Sequence, residues 1–408
     1  MKILLLNQAF YPDVVSTAQH LSELAVALAE RGHTVTVVTG RRAYDAPEQT
    51  FAAHEVWRGI QIHRVAATRL GKGAKWRRAV DFGSFVLASG WRLLTLPRHD
   101  VVVALTTPPL ISFIGAWRAR WWGAAFGYWV MDMNPDEAIA AGWLRRDSLM
   151  AKVLERMSRF SFRQANRIIA LDRFMHDRIV AKGIAPEKIL TLAPWSQDQD
   201  VHFDASGRER FREQHGLTGK YVVMYSGNHS PVHPLDTLLA AADRLQSDES
   251  IVFCFVGGGS EFKRVQASVA SGQRPNVRCL PYQPLAQLAA SLSAADAHVV
   301  VLGEAMLGLV HPCKIYNMLA VGAPVIYVGP QPSHVSEILA QLGAESPWCA
   351  APHGAGDTLA EQIQQLRQRP AQRQGAAAVT ATFAKAALLP RLVAALETMA
   401  TPQPPRRE

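Results

Sequence analysis

"KILLLNQAFYPDVVSTAQHLSELAVALAERGHTVTVVTG", residues 2–40, decides the fold. Its opening, "KILLLNQ", is a short continuous apolar run, as a strand buried on both faces requires. Apolar residues then recur at helical spacing through "STAQHLSELAVALAERGH", with Ser16 or Thr17 as candidate N-cap and Gly32 as C-terminal stop. "TVTVVTG" is the next strand. Strand, helix, strand in that order is how a parallel α/β sheet begins.

The alternation runs on. "DVVVALTTPP", a helix from about residue 110, "GAAFGYWVMDM", a helix near 147–164, "RIIAL", a helix near 173–182 and "KILTLAP" follow in turn. Around 195–218 the pattern loosens into polar sequence, where we place the domain boundary. A second series then reads "YVVMYSG", "PLDTLLAAADRL", "IVFCFVGGG", "NVRCLPY", "PLAQLAASLSAA", "AHVVVLG", a helix over 313–321 and "PVIYVG". An amphipathic stretch over 376–399 closes the chain, and "TPQPPRRE" has the composition of a disordered tail. The expected plan is α/β, with two Rossmann-like domains over 1–200 and 201–380. A C-terminal helix within 381–408 is expected to pack back toward the first domain. Two such domains facing each other leave a cleft at the carboxyl ends of both sheets, where ligands bind.

Bulk properties narrow the function. The chain has 408 residues, a hydrophobic content of 49% and a charged content of 19%, as folded globular chains do. A net charge of +9 favours anionic partners such as nucleotide phosphates, a lipid headgroup surface or nucleic acid. Cys254, Cys279, Cys313 and Cys349 lie far apart, which fits neither a zinc site nor a disulfide framework and suits a reducing cytoplasm. Only four apolar residues stand between Lys2 and Asn7, too few for a signal-peptide core. The most apolar region, 101–130, is interrupted by Pro108-Pro109, Arg118 and Arg120, so no transmembrane segment is expected.

Two stretches of the second half carry candidate chemistry. "YSGNHSPVHPLDTLL" passes from a strand through a glycine turn to a helix, presenting backbone N–H groups together with Asn228, His229 and His233. The bland alternative is an ordinary loop with solvated polar residues. Two histidines in five residues also invite a metal, but no third ligand is near in sequence and we assign none. "GLVHPCKIYNMLAVGAPVI", residues 308–326, brings Gly308, Leu309 and Val310 to a tight approach and sets Lys314 at a helix start. A cation there opposes the macrodipole unless an anion shares the site, which favours a ligand role over a snorkelling surface lysine. Gly257-Gly258-Gly259 allows a close backbone approach or a tight turn.

In order and spacing, "YSGN", "LDTLLAA", "FVGGG" and "HPCKIYNMLAVGAPVI" resemble the retaining GT-B glycosyltransferases of family four, in their bacterial polysaccharide and O-antigen branch. "FYPD", "AQHLSELAVALAERGHTVTVVT" and "DMNPDEAIAAG" in the first half are similar to the same family, and the resemblance spans about residues 1–395. It implies an acceptor-binding first domain and a nucleotide-sugar-binding second one. It also implies transfer of a sugar, with retention, from a nucleotide-diphosphate donor to a lipid-linked or glycan hydroxyl. No metal or other cofactor is implied; the nucleotide-sugar is a co-substrate. The donor set is Gly227, Asn228, His229, His233, Gly258, Gly308, Leu309, Val310 and Asn317, with Lys314 as the phosphate cation. Asp132, at a strand's carboxyl end, is the acceptor-orienting carboxylate, with an N-cap as its plainer alternative. Ser16, Thr17, His20 and Thr107 are acceptor candidates, together with Thr106.

The sequence departs from the family at telling places. Leu309 and Asn317 occupy the positions of its paired glutamates, and Met131 stands where many members have a histidine. Asn, His and Pro fill the region of the usual diphosphate-clamping Arg and Lys. A nucleotide-sugar 2-epimerase and a non-catalytic sugar-nucleotide binder therefore stay open as alternatives. Basic and aromatic residues crowd 68–97 and "WRARWW", 117–122, as in helices that lie in a membrane interface. A core of Trp and Phe with water-facing Arg is the competing reading. The expected location is the cytoplasm, at the inner membrane face. No nucleic-acid module is present.

Overall fold

β1 (Lys2–Leu6) is apolar along its whole length because it lies mid-sheet, hydrogen-bonded in parallel to a neighbour on either side. A computed structural model describes residues 1–43, 48–71, 75–109, 111–196, 201–342, 346–369 and 377–399. The tail reading of 401–408 lies outside them. The chain folds as two compact units, the first comprising Met1–Ala193, Gly308–Val310 and Leu388 onward, the second Pro194–Leu307 and His311–Ala387.

In the first unit α1 (Ser16–Glu30), β2 (Thr34–Gly40), β3 (His54–Trp57), β4 (Ile60–Val65), α2 (Lys75–Thr95), β5 (Val101–Ala104), α3 (Ile111–Trp122) and β6 (Ala125–Trp129) follow β1. Then come α4 (Asp136–Ala140), α5 (Leu149–Gln164), β7 (Arg167–Ala170), α6 (Arg173–Ala181) and β8 (Ile189–Thr191). The eight strands order as β3-β4-β2-β1-β5-β6-β7-β8, parallel except for β3 against β4. α1 packs on β2 and β4, while α2, α3 and α5 pack side by side, with α3 against β5 and β6 and α5 against β6. Gly32, at φ +82°, stops α1 as expected. The expected cap does not form: Val15 is the N-cap and Ser16 is already helical, with its hydroxyl turned to His20.

The second unit runs α7 (Ala205–Gln214), β9 (Tyr221–Asn228), α8 (Asp236–Arg244), β10 (Ile251–Gly258), α9 (Ser260–Ala270), β11 (Val277–Leu280) and α10 (Leu288–Ser293). It continues with β12 (Ala297–Val301), α11 (Lys314–Ala320), β13 (Val325–Val328), α12 (His334–Leu339), β14 (Trp348–Ala351), α13 (Gly356–Arg367) and α14 (Ala377–Thr382). Its sheet is all parallel, ordered β11-β10-β9-β12-β13-β14, so the order reverses direction between β9 and β12. Val223, Tyr225, Phe253, Phe255, Val299 and Ile326 form the core of this sheet beneath α8 and α13. Asp296 fixes the sheet's lower edge: its carboxylate takes Arg208 and Arg212 of α7 and the N–H of Val222. In α15 (Lys385–Met399), residues from Leu388 on group with the first unit, where Glu397 meets Arg31 at 2.6 Å and His33 at 2.9 Å.

Candidate active site

The second unit carries the candidate donor groups at the carboxyl end of β9, beside the point where strand order reverses. This is where an open α/β sheet offers ligands its βα turns. Gly227 has φ +122°, and a Cβ there would lie 3.4 Å from Lys314 Nζ. Glycine is thus needed at 227 for its backbone angle and for the room it leaves the amine. Gly257 and Gly259 also have positive φ, and a Cβ on either would strike the backbone of Gly227 or His229. These two glycines seat β10 against the turn after β9; Gly258 between them meets the Tyr282 ring.

Lys314 opens α11 and sends its amine under that turn. Nζ is buried, has no hydrogen-bond partner, and sits 3.6 Å from the centroid of the Tyr225 ring. Loss of water pushes its pKa down to about 7. A buried amine that gains an anion recovers the charge that burial has weakened, so the position is receptive to phosphate.

The histidines differ from simple phosphate donors. The ring of His229 is fully buried between Tyr225 and Phe262, and its Nδ1 lies 2.8 Å from the Gly227 carbonyl. A carbonyl only accepts, so Nδ1 carries the proton and Nε2, buried and unpartnered, presents a lone pair. Burial and then the Lys314 charge lower this imidazole to about 4. His233 is held in the same way: burial, then Lys314, lower it to about 3, and its Nδ1 is buried without a partner. Both are neutral at physiological pH and accept from a donor. Each gives a proton to phosphate only after taking one up. Asn228 is exposed at the turn's tip.

The 308–326 stretch is divided between the units. Gly308–Val310 group with the first and His311 onward with the second. Gly308, at φ +70°, abuts the Phe174 backbone, and the Leu309 carbonyl accepts the Met133 N–H at 2.8 Å. Leu309 and Val310 are buried, so their side chains serve packing. Asn317 is half-buried on α11, one turn after Lys314.

In the first unit Thr106, Thr107 and Asp132 stand at the carboxyl ends of β5 and β6. The Asp132 N–H donates to the Thr106 hydroxyl at 3.3 Å, and the Thr107 carbonyl accepts from Gln8 N–H at 2.7 Å. Asp132 does not cap the next helix; Pro135 is the N-cap of α4. His20 is buried, its Nδ1 turned back to the Ser16 carbonyl at 2.7 Å, and Thr17 is half-buried on the first turn of α1. Sequence reasoning missed Tyr225, the aromatic floor under Lys314, and Tyr282. Tyr225 read only as an apolar strand position; the glycine two residues on, which opens the way to its ring face, was the available signal.

Two Rossmann-like units in one chain are the GT-B plan. A family model described as "Glycosyl transferase 4-like domain" matches residues 17–195, and one described as "Glycosyl transferases group 1" matches 207–378. The chain belongs to the GT-B glycosyltransferases of this type. Among curated proteins it is 25% identical over 339 residues, covering 80% of this chain and 83% of the other, to "Putative colanic acid biosynthesis glycosyl transferase WcaI" of Escherichia coli K12. Among solved structures, sucrose-phosphate synthase of Thermosynechococcus elongatus has a TM-score of 0.75 at 15% identity, over 98% of this chain and 99% of that one. HepE of Anabaena, in complex with UDP-glucose, has a TM-score of 0.70 at 15% identity, over 98% and 100%. At these identities the structural likeness carries the fold. Neither the epimerase nor the non-catalytic binder is favoured by these relatives. No described helix is long and apolar enough to cross a membrane.

Proposed function

We propose that this enzyme moves a sugar from a nucleoside-diphosphate sugar to a hydroxyl of a lipid-linked or other glycan acceptor. The reaction keeps the anomeric configuration, needs no metal, and serves polysaccharide or glycoconjugate synthesis at the inner face of the membrane. The observation that carries the reading is Lys314: a buried amine without a hydrogen-bond partner, beneath a glycine turn at the carboxyl end of β9. The name of the colanic acid relative and the UDP-glucose complex of HepE support the same substrate class.

In this mechanism the acceptor oxygen bonds to the anomeric carbon as the bond from that carbon to the diphosphate oxygen breaks. The acceptor's proton passes to a leaving phosphate oxygen. Charge develops on the diphosphate, and Lys314 with the turn's N–H groups stabilises it. Asp132 orients the acceptor hydroxyl. Asn317 holds the donor ribose through a neutral amide, more weakly than a carboxylate would. Leu309 leaves the other glutamate's role unfilled by any side-chain charge.

The test is release of nucleoside diphosphate from a panel of nucleotide-sugars, with and without a lipid-linked glycan fraction. Acceptor-dependent release supports the proposal. If no nucleotide stabilises the protein and no sugar is transferred, the proposal is wrong.

A further inference from the structure

α2 is apolar on two opposite sides. One side is core: Phe85, Ser89 and Leu93 are buried against the first sheet. On the other, Trp76, Val80, Leu87, Trp91 and Leu94 are exposed, with Leu87 at 76% and Trp91 at 72%. Their offsets from Trp76, taken at about 100° per residue, fall within roughly 60° of one another, so they form one stripe along the helix. A water-facing stripe of that kind is the opposite of what a soluble surface helix displays.

The neighbouring helix continues it. α3, which packs beside α2, exposes Trp117 and Trp121, whose rings lie 5.3 Å apart. Behind them the buried Arg118 braces this face, its guanidinium 4.4 and 4.1 Å from the ring centroids of Trp121 and Trp122. Exposed Arg77 and Arg120 flank the patch. The acidic residue of α2, Asp81, is turned to the loop before the helix, where it accepts the N–H groups of Leu70 and Gly71.

We infer that the outer faces of α2 and α3 form the surface by which this enzyme lies in an anionic lipid bilayer, with the exposed tryptophans at headgroup level and the exposed Arg77 and Arg120 on lipid phosphates. Tryptophan with arginine is the composition of a membrane interface, and the charge suits anionic headgroups rather than a second copy of the same basic surface. This surface depends on the proposed activity only in that the acceptor is taken to be lipid-linked.

The full-length protein is floated with vesicles of phosphatidylglycerol and phosphatidylethanolamine, and with vesicles of phosphatidylcholine. It is expected to float with the anionic vesicles, less so as salt rises, and brominated lipids should quench its tryptophan emission. The double variant Leu87→Glu, Trp91→Glu should partition at least about tenfold more weakly while binding nucleotide as before. Leu87→Ser, Trp91→Ser provides a milder second pair, and circular dichroism checks the fold of both. Wild-type protein that stays with neither vesicle, or variants that float as well as wild type, would overturn the proposal. So would a wild-type dimer, split by these substitutions, that ignores lipid. Vesicle binding without sugar transfer would uphold the surface and defeat the enzymatic reading; transfer to a soluble acceptor without vesicle binding would do the reverse.

Discussion

Lys314 Nζ lies 3.6 Å from the centroid of Tyr225, so the amine's contact inside the protein is an aromatic face rather than a carboxylate. Such a contact holds the cation in place without neutralising it, leaving its charge for a ligand. The neutral imidazoles of His229 and His233 add lone pairs nearby and no competing charge.

Removal of the amine should stabilise the empty protein. Lys314 has its pKa lowered by burial to about 7, from 10.5. Between those two values the unfolded chain holds a proton that the native state sheds, so this group makes stability rise with pH across that window. Below about pH 7 the cost of the buried ammonium is fully present. Lys314→Met should therefore melt roughly 1–4 °C higher than wild type at neutral pH, and the gap should close toward pH 10. Calorimetry at the two pH values checks this, and a variant that melts lower throughout would refute it.

Gly227→Ala places a methyl 3.4 Å from Lys314 Nζ at a φ of +122°. Strain and displacement of the amine act together here. The unfolding free energy should drop by about 1–3 kcal/mol, and nucleotide affinity should fall with it. Chemical denaturation and calorimetric titration of the same sample read both.

Asp132 is assigned to the acceptor rather than the donor. Asp132→Asn should lower turnover by about a hundredfold, with the affinity for nucleoside diphosphate unchanged. An equal loss in both would return Asp132 to a structural role.

The parallel sheets could be read from sequence because their strands are continuous apolar runs separated by helical spacing: "KILLL", "VVVA" and "IVFCFV" name themselves. The edge hairpin β3–β4 escaped, since His54, Glu55 and Arg64 interrupt its apolar alternation. Ser16 misled as a cap because its hydroxyl found His20 one turn on rather than the helix's own N–H groups. At the site, Lys314 was visible as a cation at a helix start. Its burial over Tyr225 was not, since it depends on two strands and a loop converging through three glycines. The histidines were legible as polar groups of the turn, but the tautomer of His229 was not, since it is set by the Gly227 carbonyl beside its Nδ1.

The most direct test is the affinity of nucleoside diphosphates for wild type and for Lys314→Ala, titrated calorimetrically below and above pH 7. An anion at Lys314 raises its pKa, so wild-type affinity should weaken as pH climbs past about 7, the free-state value. Lys314→Ala should bind about ten- to a hundredfold more weakly at neutral pH and lose that pH dependence. Equal affinities for the two proteins, with the same response to pH, would contradict the placement of the donor diphosphate at Lys314.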